Sequence, residues 1–332
     1  MLKFEFRPYT RRFRSLLLTR HGAWSVRQGI LLRLSDSLGN QSWGEIAPIE
    51  SFGSESFREA LRFCADWFQA GSGRLDAETI EQIPAHLPAC RFGFESAWEQ
   101  LHTSETEQPP PISWSMSLLL PTGGAALDSP LLFSAQPGNT LKWKIGVAPI
   151  EQELDWFTEL ISLLSPTTKL RLDANGGLTW QQASRWLQVC DGYGIEFLEQ
   201  PLPPQQFEAM LKLSQRYQTP IALDESVTSV AQLQDCYQRG WRGVFVIKAP
   251  IAGSPGQLRN FCQTHPLDLV WSSVFETVIA RQYVTNYLMP ACPTTRAIGF
   301  GVDQWFQDGW DRLGAAELWR SALTPLSRLS PF

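Results

Sequence analysis

Two patterns of hydrophobic and polar positions divide this chain. In the first, Leu2, Phe4 and Phe6 alternate with Lys3, Glu5 and Arg7, the period-two signature of a strand with one buried face. GILLRLSD, a Ser-Leu-Gly-Asn turn and QSWGEIAPI come later, so residues 29–49 are expected to form a hairpin. The intervening stretch 17–29, with Thr19, Arg20, His21 and Gly22, reads as a mobile loop. Phe57, Leu61, Cys64, Trp67 and Phe68 recur at helical spacing, as do Phe94, Ala97, Trp98 and Leu101. Residues 1–103 therefore read as a small α+β unit. Its end is SETEQPPP, residues 104–111, where consecutive prolines forbid a helix.

Beyond that boundary, short apolar runs alternate with helical segments. The runs are ISWSMSLLL, LKWKIGV, KLRLDAN, IEFLEQP, IALDES, GVFVIKAP, DLVWSSVFE and TTRAIGFG. Thr179 with Gln182, and Ser229 with Gln232, have the spacing of capping boxes, and Gly240 supplies a helix stop. Alternating strands and helices imply parallel βαβ units. Eight regular units favour a closed α/β barrel over an open doubly wound sheet. The first crossover, PTGGAALDSPLLFSAQPGNT, has little helical periodicity.

Composition adds bounds. The chain of 332 residues is 43% hydrophobic and 18% charged, enough for one large domain plus a smaller one and without a disorder signature. A net charge of -5 gives no sign of a nucleic-acid surface. No apolar run approaches the roughly 20 residues that cross a bilayer. The six cysteines include no CxxC pair, as expected of buried thiols in a reducing cytoplasm.

The chemistry lies at the ends of the apolar runs. On a strand, Lys142 and Lys144 of LKWKIG share one face, while Trp143 and Ile145 share the other. Lys144, Asp173, Glu199, Asp224 and Lys248 then follow at steps of one βα unit. In a barrel the C-terminal strand ends converge on one mouth. Three carboxylates meeting there without cationic partners of their own would repel, and a divalent cation relieves this. An all-oxygen set with room for water suits Mg2+ better than Zn2+, with Mn2+ able to substitute. Taken singly, Asp173, Asp224 or Glu225 would serve as well to cap the helix that follows.

The order KxK, DAN, EQP, DES and a further strand-end lysine resembles the enolase superfamily. LKWKIGV, RLDANGGL, FLEQPL, ALDES, VIKAP and SSVFET, with WGEIAPIESFGSESF nearer the N-terminus, resemble more narrowly its o-succinylbenzoate synthases, in the muconate lactonizing enzyme-like subgroup. The resemblance implies a capping domain over residues 1–103, a (β/α)7β barrel over 104–305, and a segment 306–332 packing back on the cap. It implies Mg2+ on Asp173, Glu199 and Asp224, with Arg171 and Asn175 in support. The implied activity is that of a carbon–oxygen lyase acting on a small carboxylate. It removes water from 2-succinyl-6-hydroxy-2,4-cyclohexadiene-1-carboxylate to give 2-succinylbenzoate, in menaquinone or phylloquinone synthesis.

That reaction removes a proton α to a carboxylate, so a second negative charge builds on the carboxylate as an enediolate. A metal ion there offsets several kcal/mol. Lys144 is the expected base and then acid, Lys142 the cation that tunes it, and Lys248 an electrostatic partner across the substrate. Ser272 and Ser273, and the backbone of Gly299 and Gly301, are expected to meet a substrate carboxylate. Thr19, Arg20 and Phe52 are expected in loops that close over the site. The four histidines lie away from the strand ends, against a His base or a zinc site. Within the superfamily, N-acylamino acid racemases share the synthase motifs and remain open, as does a muconate-type cycloisomerase. Dipeptide epimerases have Asp-x-Asp where this chain has Gly299-Phe300-Gly301, with Asp303 alone further on. A barrel that only binds Mg2+ or a ligand is the non-catalytic alternative.

Overall fold

The structure, a computed structural model, describes residues 2–19, 22–69, 75–103, 113–134, 138–302 and 305–322. Its first unit is an antiparallel sheet of β1 (Lys3–Thr19), β2 (Gly22–Ser35) and β3 (Gln41–Ile46), covered by α1 (Phe57–Gln69), α2 (Ala77–Glu81) and α3 (Pro88–His102). Ile30, Leu32, Leu34 and Ile46 alternate onto the covered face and pack with Cys64, Cys90 and Phe94. The helix α3 crosses β3 so closely that a Cβ on Gly44 would lie 2.2 Å from the Gly93 carbonyl oxygen. Glycine is required there by contact rather than by backbone conformation.

The expected loop over 17–29 is instead paired backbone. β1 and β2 continue to Thr19 and Gly22, with one irregularity between Arg12 and Leu17. The buried Arg27 explains why β2 runs so far. Its guanidinium donates to the carbonyls of Ala47 at 2.6 Å, Pro48 at 2.8 Å and Val274 at 2.9 Å, fixing the strand to the next unit. Arg20, His21, Asp303 and the proline-rich 104–111 lie outside the described residues.

The second unit is a curled parallel sheet. Its strands are β4 (Ser117–Leu119), β5 (Thr140–Lys144), β6 (Lys169–Asp173), β7 (Phe197–Glu199), β8 (Ile221–Leu223), β9 (Val244–Ile247) and β10 (Asp268–Trp271), neighbours in chain order. Among the described residues, the eighth run pairs only through Ile298 with Met116 and Gly299 with Ser272. Those two bridges place it between β10 and β4 and close the ring, so the architecture is a (β/α)7β barrel. Between strands lie α4 (Pro130–Ser134), α5 (Ile150–Leu163), α6 (Trp180–Cys190), α7 (Phe207–Arg216), α8 (Val230–Gln238), α9 (Ala249–Ala252) and α10 (Pro255–Thr264). After β10 come α11 (Val278–Tyr283), α12 (Met289–Ala291) and α13 (Ala315–Ser321). Among the described residues, the weak first crossover holds one short helix, α4, after a 3-10 turn at Gly123–Ala126.

Leu141, Trp143, Ile145, Leu170 and Leu172 face outward under the helices. Phe197, Ala222, Val244, Val246 and Val270 fill the barrel interior as a separate cluster. The side chains of Lys142 and Lys144 therefore enter the barrel above an apolar plug. Glu45 of β3 is wholly buried between the units. It accepts from Tyr9 Oη at 2.6 Å, Thr277 N at 2.8 Å, Thr277 Oγ1 at 2.6 Å and Ala280 N at 3.2 Å at the start of α11. Arg11 of β1 reaches the other way, to Asp308 at 2.9 Å and Asp311 at 2.6 Å, over the ring of Phe306.

Candidate active site

Strand register brings the polar ends together. Lys144 pairs with Asp173 across β5 and β6, and Asp173 with Glu199 across β6 and β7. Asp224 and Lys248 are the first residues beyond β8 and β9. The helix caps are made by other residues, Thr179 for α6 and Ser229 for α8, each in a reciprocal capping box. Asp173 and Asp224 are thereby free of the capping alternative and turn into the barrel mouth.

The carboxylates are not left without cations, contrary to the sequence expectation. Lys142 Nζ bridges Asp173 Oδ2 at 2.8 Å and Glu199 Oε1 at 2.7 Å. Lys144 Nζ donates to Asp173 Oδ2 at 3.0 Å and to Asn175 Oδ1 at 2.5 Å. Lys248 pairs with Asp224 and lies 4.3 Å from the centre of the Phe52 ring. Among the described residues no three acidic, His or Cys side chains are arranged as a ready coordination sphere; ammonium groups sit on the carboxylate oxygens.

The electrostatics show how unbalanced this arrangement is. Burial raises the pKa of Glu199 and the charge of Asp173 adds to it, so that against the pull of Lys142 it rises to about 7. Burial likewise raises Asp224, more than Lys248 lowers it. Burial also opposes ionisation of Asp173, but Lys142 and Lys144 outweigh it and hold that carboxyl well below the ordinary range. Lys142 is drawn towards neutrality by burial, yet Asp173, Glu199 and Asp224 together keep it charged. With Glu225 beside them, four buried carboxylates face three lysines, and the raised Glu199, Asp224 and Glu225 call for more positive charge than those lysines supply. Their oxygen-only chemistry, and an ammonium already bridging two of them, fit a hard divalent cation.

Gln200 locks this edge. It is fully buried with φ of 38°, accepts from Asp224 N at 2.9 Å and Ser226 N at 3.2 Å, and donates to Ser226 Oγ at 2.8 Å. The sequence reading passed over it.

A cavity opens above these groups, lined by Lys142, Lys144, Asp173, Glu199, Asp224 and Lys248, with Ser272, Ser273, Gly299, Gly301 and Phe52. Two of the expected carboxylate binders are already engaged. Ser273 Oγ donates to Glu276 Oε2 at 2.8 Å, as part of the turn after β10. Gly299 N donates to Trp271 O at 2.7 Å, closing the barrel. Arg171 lines the lower part of the cavity, bound to Glu196 at 2.7 Å and lying over Phe197, and supports β6 from within the barrel. Thr19 lies at the tip of the β1–β2 hairpin, paired with Gly22, and its neighbour Arg20 lies outside the described residues. None of His86, His102 and His265 lines the cavity. Trp24, Phe275 and Trp305, which the sequence reading missed, form an aromatic wall around the mouth. Phe275 holds φ of 59°, a strained conformation for a bulky residue that no sequence pattern announces.

Comparison with known proteins places this architecture. Residues 134–283 match the family described as enolase C-terminal domain-like, and residues 6–101 match the MenC N-terminal domain. An o-succinylbenzoate synthase of Thermosynechococcus vestitus is 40% identical over 92% of this chain and 94% of its own length. The chain belongs to the o-succinylbenzoate synthase family of the enolase superfamily. A second family member, from Klebsiella pneumoniae, is 29% identical over 80% of this chain and 81% of its own. The crystal structure of the Thermosynechococcus elongatus synthase, complexed with Mg in its active site, superposes with a TM-score of 0.82 at 40% identity, covering 92% of this chain and 94% of that one. A dipeptide epimerase of Enterococcus faecalis, at 19% identity and a TM-score of 0.79 over 92% and 91% of the two chains, shares the fold. No helix among the described residues is long and apolar enough to cross a membrane.

Proposed function

We infer that the protein is an o-succinylbenzoate synthase, a hydro-lyase that aromatises 2-succinyl-6-hydroxy-2,4-cyclohexadiene-1-carboxylate to 2-succinylbenzoate for quinone biosynthesis. The similarity at 40% identity across cap and barrel together carries this reading. Cap and barrel both line the cavity, so likeness in both constrains the substrate as well as the chemistry.

Asp173, Glu199 and Asp224 are proposed to hold Mg2+, which supplies a Lewis acid beside the substrate carboxylate where negative charge accumulates. Lys144 takes the proton α to that carboxylate and returns it to the departing hydroxyl, a syn elimination served by one group. Lys142, kept charged by its carboxylates, is a fixed cation beside Lys144. Lys248, on the opposite side of the mouth, presents its ammonium to the ring, a role for which its seat against Phe52 is suited. The apolar plug below and the aromatic wall above exclude water from the reacting centre. The unpaired state of all six cysteines supports a reducing compartment such as the cytoplasm.

The test follows ultraviolet absorbance as purified protein meets the cyclohexadiene substrate with and without Mg2+. Mg2+-dependent aromatisation is expected in the wild type, and its loss in Lys144→Ala with fold and Mg2+ affinity retained. Absence of aromatisation, or racemisation of an N-succinyl amino acid in its place, overturns the assignment.

A further inference from the structure

A buried carboxylate at the mouth takes no part in the chemistry above. Glu225 follows Asp224, lines the same cavity, and has one oxygen, Oε2, that is buried with no hydrogen-bond partner. Its other oxygen, Oε1, accepts from Asn175 Nδ2 at 3.1 Å. The far end of the same amide, Asn175 Oδ1, accepts from Lys144 Nζ at 2.5 Å. Asn175 spans the mouth because its backbone is in the left-handed region at φ of 44°, a conformation asparagine tolerates better than most residues. Its backbone N–H is tied to Asp173 Oδ1 at 2.9 Å.

We propose that Glu225 is a positioning residue for Lys144, acting through Asn175. The inference rests on Lys144 being the base. A carboxylate only accepts, so Glu225, at 3.1 Å the nearer acceptor beside a longer contact of Asn175 Nδ2 to Asp173 Oδ2 at 3.5 Å, selects the orientation in which Asn175 turns its NH2 towards it and its carbonyl oxygen towards Lys144. A neutral amine has two N–H bonds and one lone pair. With Asn175 Oδ1 and Asp173 Oδ2 accepting the two N–H bonds, the lone pair is left in the remaining tetrahedral direction. If the Asn175 amide turns over, its NH2 faces Lys144 and donates into that lone pair. The base is then occupied by its own neighbour.

Glu225→Leu removes the acceptor and keeps the bulk. The expected loss is in kcat, on the order of 10- to 100-fold as for other residues that orient a reacting group, with KM for the substrate within about threefold and Mg2+ affinity by calorimetry unchanged. Glu225→Gln, whose carbonyl oxygen can still accept from Asn175, recovers much of the lost kcat. Asn175→Ala shows a comparable loss, and adding Glu225→Leu to it costs little more, because the two residues act as one unit. Wild-type kcat in Glu225→Leu overturns the proposal, as do losses that multiply in the double variant. Weaker Mg2+ binding with normal kcat at saturating Mg2+ also overturns it, and makes Glu225 a metal ligand. Lys144→Ala, run beside these, separates the two levels of failure. An active Lys144→Ala sinks the base assignment, whereas an inactive one with active Glu225→Leu sinks only the positioning role.

Discussion

Replacing Lys142 by Met tests whether the bridging ammonium stands where a metal ion binds. Met keeps an unbranched apolar stem and removes only the charge. The Nζ atom lies 2.8 Å from Asp173 Oδ2 and 2.7 Å from Glu199 Oε1, and the side chain is one-fifth exposed. Removing one partner of a buried pair costs about 3–5 kcal/mol, and the partial exposure argues for about 3. With an unfolding entropy of about 2.1 cal/mol/K per residue, a chain of 332 residues loses about 1.4 °C of Tm per kcal/mol. The metal-free variant is thus expected to melt about 4 °C below the wild type. At a Mg2+ concentration near 100 times the wild-type Kd, binding contributes about 2.7 kcal/mol, again about 4 °C. Two unit charges about 4 Å apart repel by about 4 kcal/mol at an effective dielectric constant of 20. A flexible ammonium beside water relieves most of this, leaving at least about tenfold tighter Mg2+ binding in the variant. Mg2+ then contributes about 4.1 kcal/mol to the variant, and the gap narrows to about 2 °C. Thermal melts with and without Mg2+, supported by calorimetric Kd values, measure this. Equal Mg2+ shifts and equal Kd values in the two proteins would refute the idea that the ammonium and the metal share those oxygens.

Two further outcomes follow from the packing. Glu45→Ala strands the donors of Tyr9, Thr277 and Ala280 in the dry contact between cap and barrel. At about 1–3 kcal/mol per unpaired donor and with partial relaxation, roughly 4 kcal/mol is lost, read as a lower urea midpoint at unchanged slope. Glu196 is pushed up by burial but held below its ordinary pKa by Arg171 and then Arg296. A depressed folded-state pKa stabilises above the unfolded value of about 4.3 and is lost as pH falls through the folded one. Glu196→Gln should therefore lower Tm at pH 7, with the deficit shrinking below about pH 4. A deficit independent of pH would mean that the charge is not what stabilises this floor.

The polar groups at the strand ends were readable because each interrupts an apolar run at a fixed spacing of one βα unit. Lys144, Asp173 and Glu199 stand there for that reason, and the capping boxes at Thr179 and Ser229 were equally local signals. What the sequence could not show depends on partners far along the chain. Glu225 reads as a helix cap until the left-handed backbone of Asn175 swings an amide across to it. Gln200 passes unremarked within FLEQPL because its amide binds the end of β8, one strand away. The carboxylates looked uncompensated because strand alternation says which face a lysine takes, not how far its flexible stem reaches. The hairpin beyond residue 17 reads as a loop in sequence because a strong anchor, Arg27, binds the distant carbonyls of Ala47, Pro48 and Val274. The eighth strand is legible as an apolar run but, among the described residues, pairs through only two of its own.

The clasp of Arg11 on Asp308 and Asp311 also sets an order of events during synthesis. Arg11 leaves the ribosome 297 residues before Asp308, an interval of roughly 15 to 60 s at about 5–20 residues per second. Until then its guanidinium has no carboxylates to meet in the position it finally occupies, and burying it alone would be strongly unfavourable. The Arg11 end of this clasp must wait, solvated, until Asp308 and Asp311 emerge. A chain that stops short of Asp308 therefore lacks this clasp on β1, and its cap is held to the barrel by Glu45 and Arg27 without it.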